Sequence, residues 1–209
     1  QFVYFFSSSL DHSNFETFVG FLLAKMIDDS ASLRSRSNAT LYLESLIVHA
    51  RYIDDDFAAL TLDYVSNYAL CYASHISSEV PDQFKMDIKM HHMYYFAVQC
   101  LSYIICWRYK SFTNKNINIV ERWHIDELLY NELRAIDVID KNTSDMVKSF
   151  NLFEVRHEDS VVIERITVWF PFDPCPLDEM ADFVSDNYIQ WDELNEEDED
   201  VNAILDQEL

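Results

Sequence analysis

The sequence predicts an all-α protein of the helical-repeat type, and three observations support that fold class. Only one of the 209 residues is a glycine, Gly20, and four are prolines, too few for the turns of a strand-rich fold. Hydrophobic residues make up 49% of the chain and aromatic residues 15%, enough to bury a core. Segments with apolar residues at three- and four-residue spacing follow one another. Such a pattern is typical of stacked helical hairpins, although an irregular helical bundle would show it too.

The first half of the chain divides into five predicted helices, at residues 1–6, 15–26, 33–52, 57–76 and 91–112. We interpret the opening apolar run as a helix cut open at the start of a fragment. Asn14 is the predicted N-cap of the second helix. Asp54, Asp55 and Asp56 cap the fourth helix and place negative charge in its first turn. The fifth helix is apolar almost all round, so we expect it to be central in the fold.

The second half of the chain has a weaker and more mixed pattern. Helical periodicity is predicted at residues 119–139, 143–153 and 177–191. Thr143 or Ser144 is the expected N-cap of the middle one of these segments. Residues 161–170 alternate and are rich in β-branched side chains, so they are predicted to be extended, and Pro171 and Pro174 exclude a regular helix there. We therefore predict a helical-repeat domain, a strap with a terminal helix, and a flexible acidic tail, at residues 1–165, 166–191 and 192–209.

Charge is distributed unevenly along the chain. The net charge is −22, from 15 basic and 37 acidic residues. After Arg165 there is no lysine or arginine but there are 14 acidic residues, so the first 165 residues carry only 15 − 23 = −8. A field of this sign repels phosphate backbones, which argues against direct nucleic-acid binding and favours partners with basic surfaces. The opening apolar run is too short to span a membrane.

Four cysteines, Cys71, Cys100, Cys106 and Cys175, show no paired spacing. This pattern favours a reducing, intracellular compartment. We expect Cys100 and Cys106 to be buried thiols, because they lie in the aromatic-rich fifth helix.

Four segments resemble one known family, in the same order and over nearly the whole chain. The most specific is Trp169-Phe170-Pro171-Phe172-Asp173-Pro174-Cys175, which is similar to an aromatic, proline-containing "FFPFDPC" motif. The other three are residues 1–6, 49–53 and 91–110. Together they resemble the C-terminal half of the RNA polymerase I-specific transcription initiation factor family (TIF-IA). One departure is that the basic stretch that usually follows the motif is replaced here by acidic residues at 176–183.

The resemblance implies a fold of HEAT-type helical repeats and an adaptor that is not an enzyme and has no cofactor. It implies binding to RNA polymerase I near its stalk and to the promoter-bound initiation factor at ribosomal RNA genes. It also implies a nuclear, mainly nucleolar location and control by phosphorylation. The oligomeric state stays open.

Three groups of residues are candidates for function. Trp169, Phe170, Pro171, Phe172, Asp173 and Pro174 form either a strap pinned across the terminal helices or an aromatic–proline ridge offered to a partner. The run Glu196, Glu197, Asp198, Glu199 and Asp200 is either solvated charge or an acidic arm for a basic partner. Ser35 and Ser37, which lie beside Arg34 and Arg36, are conceivable phosphorylation sites.

Two alternatives to an initiation factor remain at this point. The first is a generic helical-repeat scaffold or transport adaptor. The second is a metal-carboxylate enzyme, because Glu121/His124 and Glu154/His157 both match the Glu-x-x-His pattern of di-iron bundles. That site needs two further inward-facing glutamates from other helices. Cys71 and His75 lack a second close pair for zinc, and the chain has no nucleophile elbow or phosphate loop.

Overall fold

The computed structural model describes residues 2–79, 87–153, 164–172 and 184–191, and their regular structure is helical. The helices α1 to α9 run, in order, Phe2–Ser9, His12–Ile27, Leu33–His49, Asp55–Glu79, His92–Asn114, Ile119–Trp123, Ile125–Tyr130, Ala135–Val138 and Lys141–Ser149. Within the described ranges the sheet-type pairing is an isolated antiparallel bridge between Ala50 and Tyr188. The predicted all-α class is confirmed.

The long helices pack as two neighbouring pairs. Helix α2 packs against α3, α4 packs against α5, and α3 packs against α5 to join the pairs. Every residue from Met93 to Cys106 in α5 is buried, which confirms the expectation that this helix is central. Cys100 and Cys106 are both buried, as expected. Among the described helices none is long and apolar enough to cross a membrane.

Helix boundaries follow the capping side chains, and two predicted caps are wrong. Helix α2 begins three residues earlier than expected because the Asp11 carboxylate, and not Asn14, accepts a hydrogen bond from the Ser13 backbone amide at 2.9 Å. Helix α9 begins at Lys141 because Asp140 accepts from the Thr143 amide at 3.0 Å. By contrast, Asp54 caps α4 as predicted, accepting from the Phe57 amide at 2.8 Å.

The weak pattern at residues 119–139 corresponds to three short helices, α6, α7 and α8. His124 and Arg134 separate them, and both have left-handed backbone conformations with a φ of 49°. Such a conformation is unfavourable for a residue other than glycine and ends a helix. The segment still adds to the core, because Trp123, Leu128 and Leu129 are fully buried.

The C-terminal part of the described chain packs across the helices and is mostly irregular. Residues 164–172 have no regular structure, and the Ile166 amide donates to the carbonyl of Val138 at 2.8 Å. The predicted terminal helix is wrong beyond Asn187, where a 3-10 turn ends. There the backbone pairs with the end of α3, because the Ile189 amide donates to the His49 carbonyl at 2.8 Å. The predictions for residues 161–163, 173–183 and 192–209 lie outside the described residues, and the three domain boundaries stay predictions.

Candidate partner-binding surface

Phe172 fixes the strap to the helical core. Its side chain is fully buried, and its ring lies 5.3 Å from the ring of Phe5 and 5.6 Å from that of Tyr42. The Phe172 amide donates to the Ser45 hydroxyl at 3.1 Å, and the Tyr188 hydroxyl donates to the Phe172 carbonyl at 2.8 Å. The strap is therefore joined to α1, to α3 and to the chain that follows it.

The two aromatic residues before Phe172 are progressively more exposed. Phe170 is half-buried and stacks on Tyr103 of α5, with ring centroids 4.5 Å apart. Trp169 contacts the edge of Tyr42 at 5.7 Å, but 44% of its surface remains exposed. Pro171 is buried, while Asp173 and Pro174 lie outside the described residues. The strap thus has a buried anchor and an exposed tryptophan within four residues.

A second exposed tryptophan lies at the C-terminal end of the described chain. The ring of Tyr188 stacks on that of His49 with centroids 4.6 Å apart. The His49 ring in turn packs against Trp107, with centroids 4.8 Å apart. Trp191 contacts Trp107 at 4.8 Å and is 36% exposed. We use the name aromatic edge for the set Tyr103, Trp107, Trp169, Phe170 and Trp191. Both exposed tryptophans are thereby held by packed neighbours on α3 and α5.

Arg108 is a buried anchor that the sequence reasoning did not single out. Its guanidinium donates to the carbonyl of Ile47 at 2.7 and 3.1 Å, to that of Ile53 at 3.0 Å, and to Asp55 at 2.8 Å. Burial lowers the pKa of Arg108, and the Asp55 carboxylate opposes that shift. An arginine inside an otherwise apolar helix was the available signal. Arg108 ties α5 to the end of α3 and the start of α4.

The two candidate phosphorylation sites have different environments. Ser35 is exposed in the first turn of α3. Ser37 is buried, and its hydroxyl donates to the Arg34 carbonyl at 3.3 Å. Arg36 is already engaged, since it donates to the Met26 carbonyl at 2.8 Å and to Asp29 at 2.6 Å. Phosphorylation stays a prediction, and Ser35 is the hydroxyl that the fold presents to solvent.

The metal-enzyme alternative gains no support from the described residues. Glu121 and His124 are exposed on a five-residue helix and at the junction that follows it. Cys71 and His75 lie on the surface of α4, with Sγ and Nδ1 3.9 Å apart. Over the described residues, no three histidine, cysteine or acidic side chains are grouped so as to hold a metal ion. Glu154 and His157 lie outside that part of the chain.

The fold and this surface define an all-α helical-repeat protein with a buried strap and an exposed aromatic edge. The model of the family "RNA polymerase I specific transcription initiation factor RRN3" matches residues 1–136 and 131–196. The chain belongs to this family of RNA polymerase I-specific transcription initiation factors.

Two curated relatives align with almost the whole chain. The RNA polymerase I-specific transcription initiation factor rrn3 of Schizosaccharomyces pombe is 20% identical over 97% of this chain and 38% of its own length. The RRN3 protein of Mus musculus is 21% identical over 92% of this chain and 33% of its own length. The chain therefore spans about a third of the length of these relatives.

A solved structure has a similar fold. The crystal structure of RNA polymerase I transcription initiation factor Rrn3 superimposes with a TM-score of 0.70 at 15% identity. The match covers 92% of this chain and 44% of that one. A shorter likeness, 32% identity over 77 residues, links 34% of the chain to a 5'(3')-deoxyribonucleotidase of Bacillus subtilis.

Proposed function

We propose that this chain is a module of the RNA polymerase I initiation machinery that acts by protein–protein contact. It bridges the polymerase to the promoter-bound initiation factor at ribosomal RNA genes and uses no cofactor. The observation that carries the proposal is the family match, which extends over nearly the whole chain. We infer from this role that the protein acts in the nucleus, mainly in the nucleolus.

The aromatic edge is the surface that we assign to partner contact. Tryptophan is enriched among the residues that dominate binding energy at interfaces, particularly where its neighbours hold it rigidly. Trp169 and Trp191 are both exposed and both packed on partners within the fold. We therefore assign contact with a partner to Trp169, and attachment of the strap to the helical core to Phe172.

The acidic run Glu196–Asp200 supplies the electrostatic part of the proposal. No basic residue follows Arg165, so this end of the chain attracts basic surfaces and repels nucleic-acid backbones. Steering of this kind raises the association rate and weakens as salt is added.

The experiment is an affinity pull-down with the immobilised chain against purified RNA polymerase I, RNA polymerase II and the promoter-bound factor. We expect selective retention of polymerase I or its promoter factor. The double variant Trp169→Ala, Trp191→Ala should lose that retention. The matched control Tyr64→Ala removes an exposed aromatic side chain on α4 that is not part of the aromatic edge. This variant should retain the polymerase.

A third variant tests the acidic run by replacing Glu196, Glu197, Asp198, Glu199 and Asp200 with the corresponding amides. We expect weaker retention at low salt and little difference at high salt. Equal recovery of polymerases I and II, or of neither polymerase and no promoter factor, would contradict the proposal and favour a generic helical-repeat scaffold.

A further inference from the structure

Tyr188 connects the two segments that carry the exposed tryptophans. Its hydroxyl donates to the Phe172 carbonyl at 2.8 Å, across 16 residues of sequence. Phe172 follows Trp169 by three residues, and Trp191 follows Tyr188 by three residues. This hydrogen bond therefore joins the strap directly to residues 184–191, which we call the C-terminal segment.

The C-terminal segment is also fixed to the end of α3. The Ile189 amide donates to the His49 carbonyl at 2.8 Å, and the Arg51 amide donates to the Asn187 carbonyl at 2.9 Å. The Arg51 guanidinium donates to the Tyr188 carbonyl at 3.1 Å. The Tyr188 ring stacks on His49 with an angle of 8° between the ring planes. Tyr188 thus has a fixed position from which its hydroxyl reaches the strap.

The two tryptophans reach α3 at two places on the same side of the helix. Trp169 contacts Tyr42, and Trp191 contacts Trp107. Trp107 in turn packs against His49. Tyr42 and His49 are seven residues apart in α3, which corresponds to about 10 Å and almost two full turns. Two exposed side chains at a fixed spacing can contact one partner together, and the second contact then forms at a high effective concentration.

A second connection between the tryptophans runs through ring contacts of Tyr103. This ring stacks on Phe170 with centroids 4.5 Å apart and lies 6.0 Å from the ring of Trp107. Aromatic pairs are favourable over a range of offsets and angles, whereas a hydrogen bond weakens steeply away from its preferred direction. The hydroxyl of Tyr188 therefore constrains the spacing more strictly than the ring contacts do.

We propose that Trp169 and Trp191 act as one two-point contact, and that Tyr188 is the positioning residue that sets their spacing. The Tyr188 hydroxyl joins the strap and the C-terminal segment into one unit, which presents both indoles to a partner in a fixed arrangement. Preorganisation of this kind reduces the entropy lost on binding. The inference rests on the proposed function, in which both tryptophans contact the polymerase or the promoter-bound factor, but the coupling of the two segments can be measured without a partner.

Native-state hydrogen exchange measures that coupling in the 209-residue chain alone. The Phe172 amide donates to the Ser45 hydroxyl at 3.1 Å, and the Ile189 amide donates to the His49 carbonyl. Amides in one cooperative unit share one opening free energy, so we expect equal values for Phe172 and Ile189. Tyr188→Phe removes the hydroxyl and keeps the ring. In this variant the two values should differ, and exchange of at least one amide should be about fivefold faster, the factor for a hydrogen bond of about 1 kcal/mol.

Tyr52→Phe is a matched control. The Tyr52 hydroxyl donates to the Phe5 carbonyl at 3.0 Å, and the rings of Tyr52 and Tyr188 lie 5.6 Å and 5.8 Å from the ring of Phe5. Both tyrosines are half-buried. The two variants therefore lose a similar hydrogen bond in the same aromatic cluster, and their melting temperatures should fall by similar amounts. Tyr52→Phe should nevertheless leave the Phe172 and Ile189 amides with equal opening free energies.

Titration of the immobilised chain with purified RNA polymerase I, and with the promoter-bound factor, tests the use of the fixed spacing. Tyr188→Phe keeps both indoles but should weaken binding of the retained partner by about fivefold. Tyr52→Phe should bind that partner as tightly as the original chain does.

Three results would overturn the proposal. Unequal opening free energies for Phe172 and Ile189 in the original chain would mean that the two segments open independently. Equal values in Tyr188→Phe, or the same difference in both variants, would mean that the Tyr188 hydroxyl is not the link. Unchanged partner binding by Tyr188→Phe would mean that no partner uses the fixed spacing. Failure of the original chain to retain any partner would contradict the proposed function and the two-point contact with it, while the exchange data would still decide whether Tyr188 couples the segments.

Discussion

Helices α5 and α2 are both rich in apolar residues but have different positions in the stack. In α5 every residue from Met93 to Cys106 is buried. In α2 the buried residues are Phe15, Val19, Leu22 and Met26, and a groove lies on each side of the helix. The difference shows that α5 is a central element and α2 an edge element. A substitution in α5 should therefore change stability strongly, whereas an outward substitution in α2 should change it by about 1 kcal/mol or less.

The largest expected effect is at Arg108, the buried cation of α5. Arg108→Met removes the side-chain donor to the carbonyls of Ile47 and Ile53. It also removes the cation that pairs with the Asp55 carboxylate, which still accepts from the Ser111 hydroxyl. Removing one partner of a buried ion pair costs about 3–5 kcal/mol, so the free energy of unfolding in urea should fall by that amount.

The matched control is Arg122→Met, because Arg122 pairs with Asp63 at 2.8 Å but its side chain is 38% exposed. Solvent screens such a pair, and the expected loss is about 1 kcal/mol or less. Similar losses in the two variants would show that Arg108 contributes no more to stability than a partly exposed ion pair.

The strap provides the second test, since Phe172 belongs to an irregular segment but is buried as completely as α5. Phe172→Ala should reduce the free energy of unfolding by about 3–5 kcal/mol, the usual cost of truncating a buried phenylalanine. Phe21→Ala on α2 should change it by about 0.5 kcal/mol or less, because Phe21 is 59% exposed. An unchanged melting temperature for Phe172→Ala would instead place Phe172 in the partner ridge.

Glu44 provides a pH-dependent test where α3 faces α5. The Glu44 side chain is fully buried and, within the described part of the chain, neither carboxyl oxygen has a hydrogen-bond partner. Burial, and secondarily the Asp140 carboxylate, raises the pKa of Glu44 well above its ordinary value. The folded protein therefore keeps a proton that the unfolded chain releases, so stability from this group is complete below the ordinary pKa and is lost as pH rises towards the raised pKa.

Glu44→Gln removes this dependence while keeping a similar shape. The variant should be more stable than the original chain at pH 8, and the difference should shrink as pH approaches 4.5, by up to about 1.4 kcal/mol per pH unit. The control Glu16→Gln alters an exposed carboxyl of α2. Parallel pH profiles for the original chain and Glu44→Gln would mean that the Glu44 carboxyl is solvated.

The long helices could be predicted from the sequence, but their contacts and the short elements of the second half could not. A long apolar run predicts that α5 is central, and two prolines predict that the strap is not helical, because both are local effects. The anchoring of Phe172 depends on Ser45, 127 residues away, and no local pattern encodes that distance. The terminal helix was predicted to be too long for the same reason, because the Ile189 backbone bonds to the distant end of α3 and not to its own segment. Caps were misassigned because several adjacent polar residues can serve, and only backbone geometry selects Asp11 or Asp140.

The smallest expected effect has the opposite sign and lies at Gly20, in the middle of α2. Within the described part of the chain, a Cβ atom added there would have no neighbour from another element within 4 Å. Glycine in a helix interior is less favourable than alanine by about 0.5–1 kcal/mol. Gly20→Ala should therefore raise the free energy of unfolding by that amount. The control Ala97→Gly, at a fully buried position of α5, should lower it by at least about 1 kcal/mol. If Gly20→Ala is destabilising, another part of the chain covers this face of α2 in solution, and α2 is not an edge element.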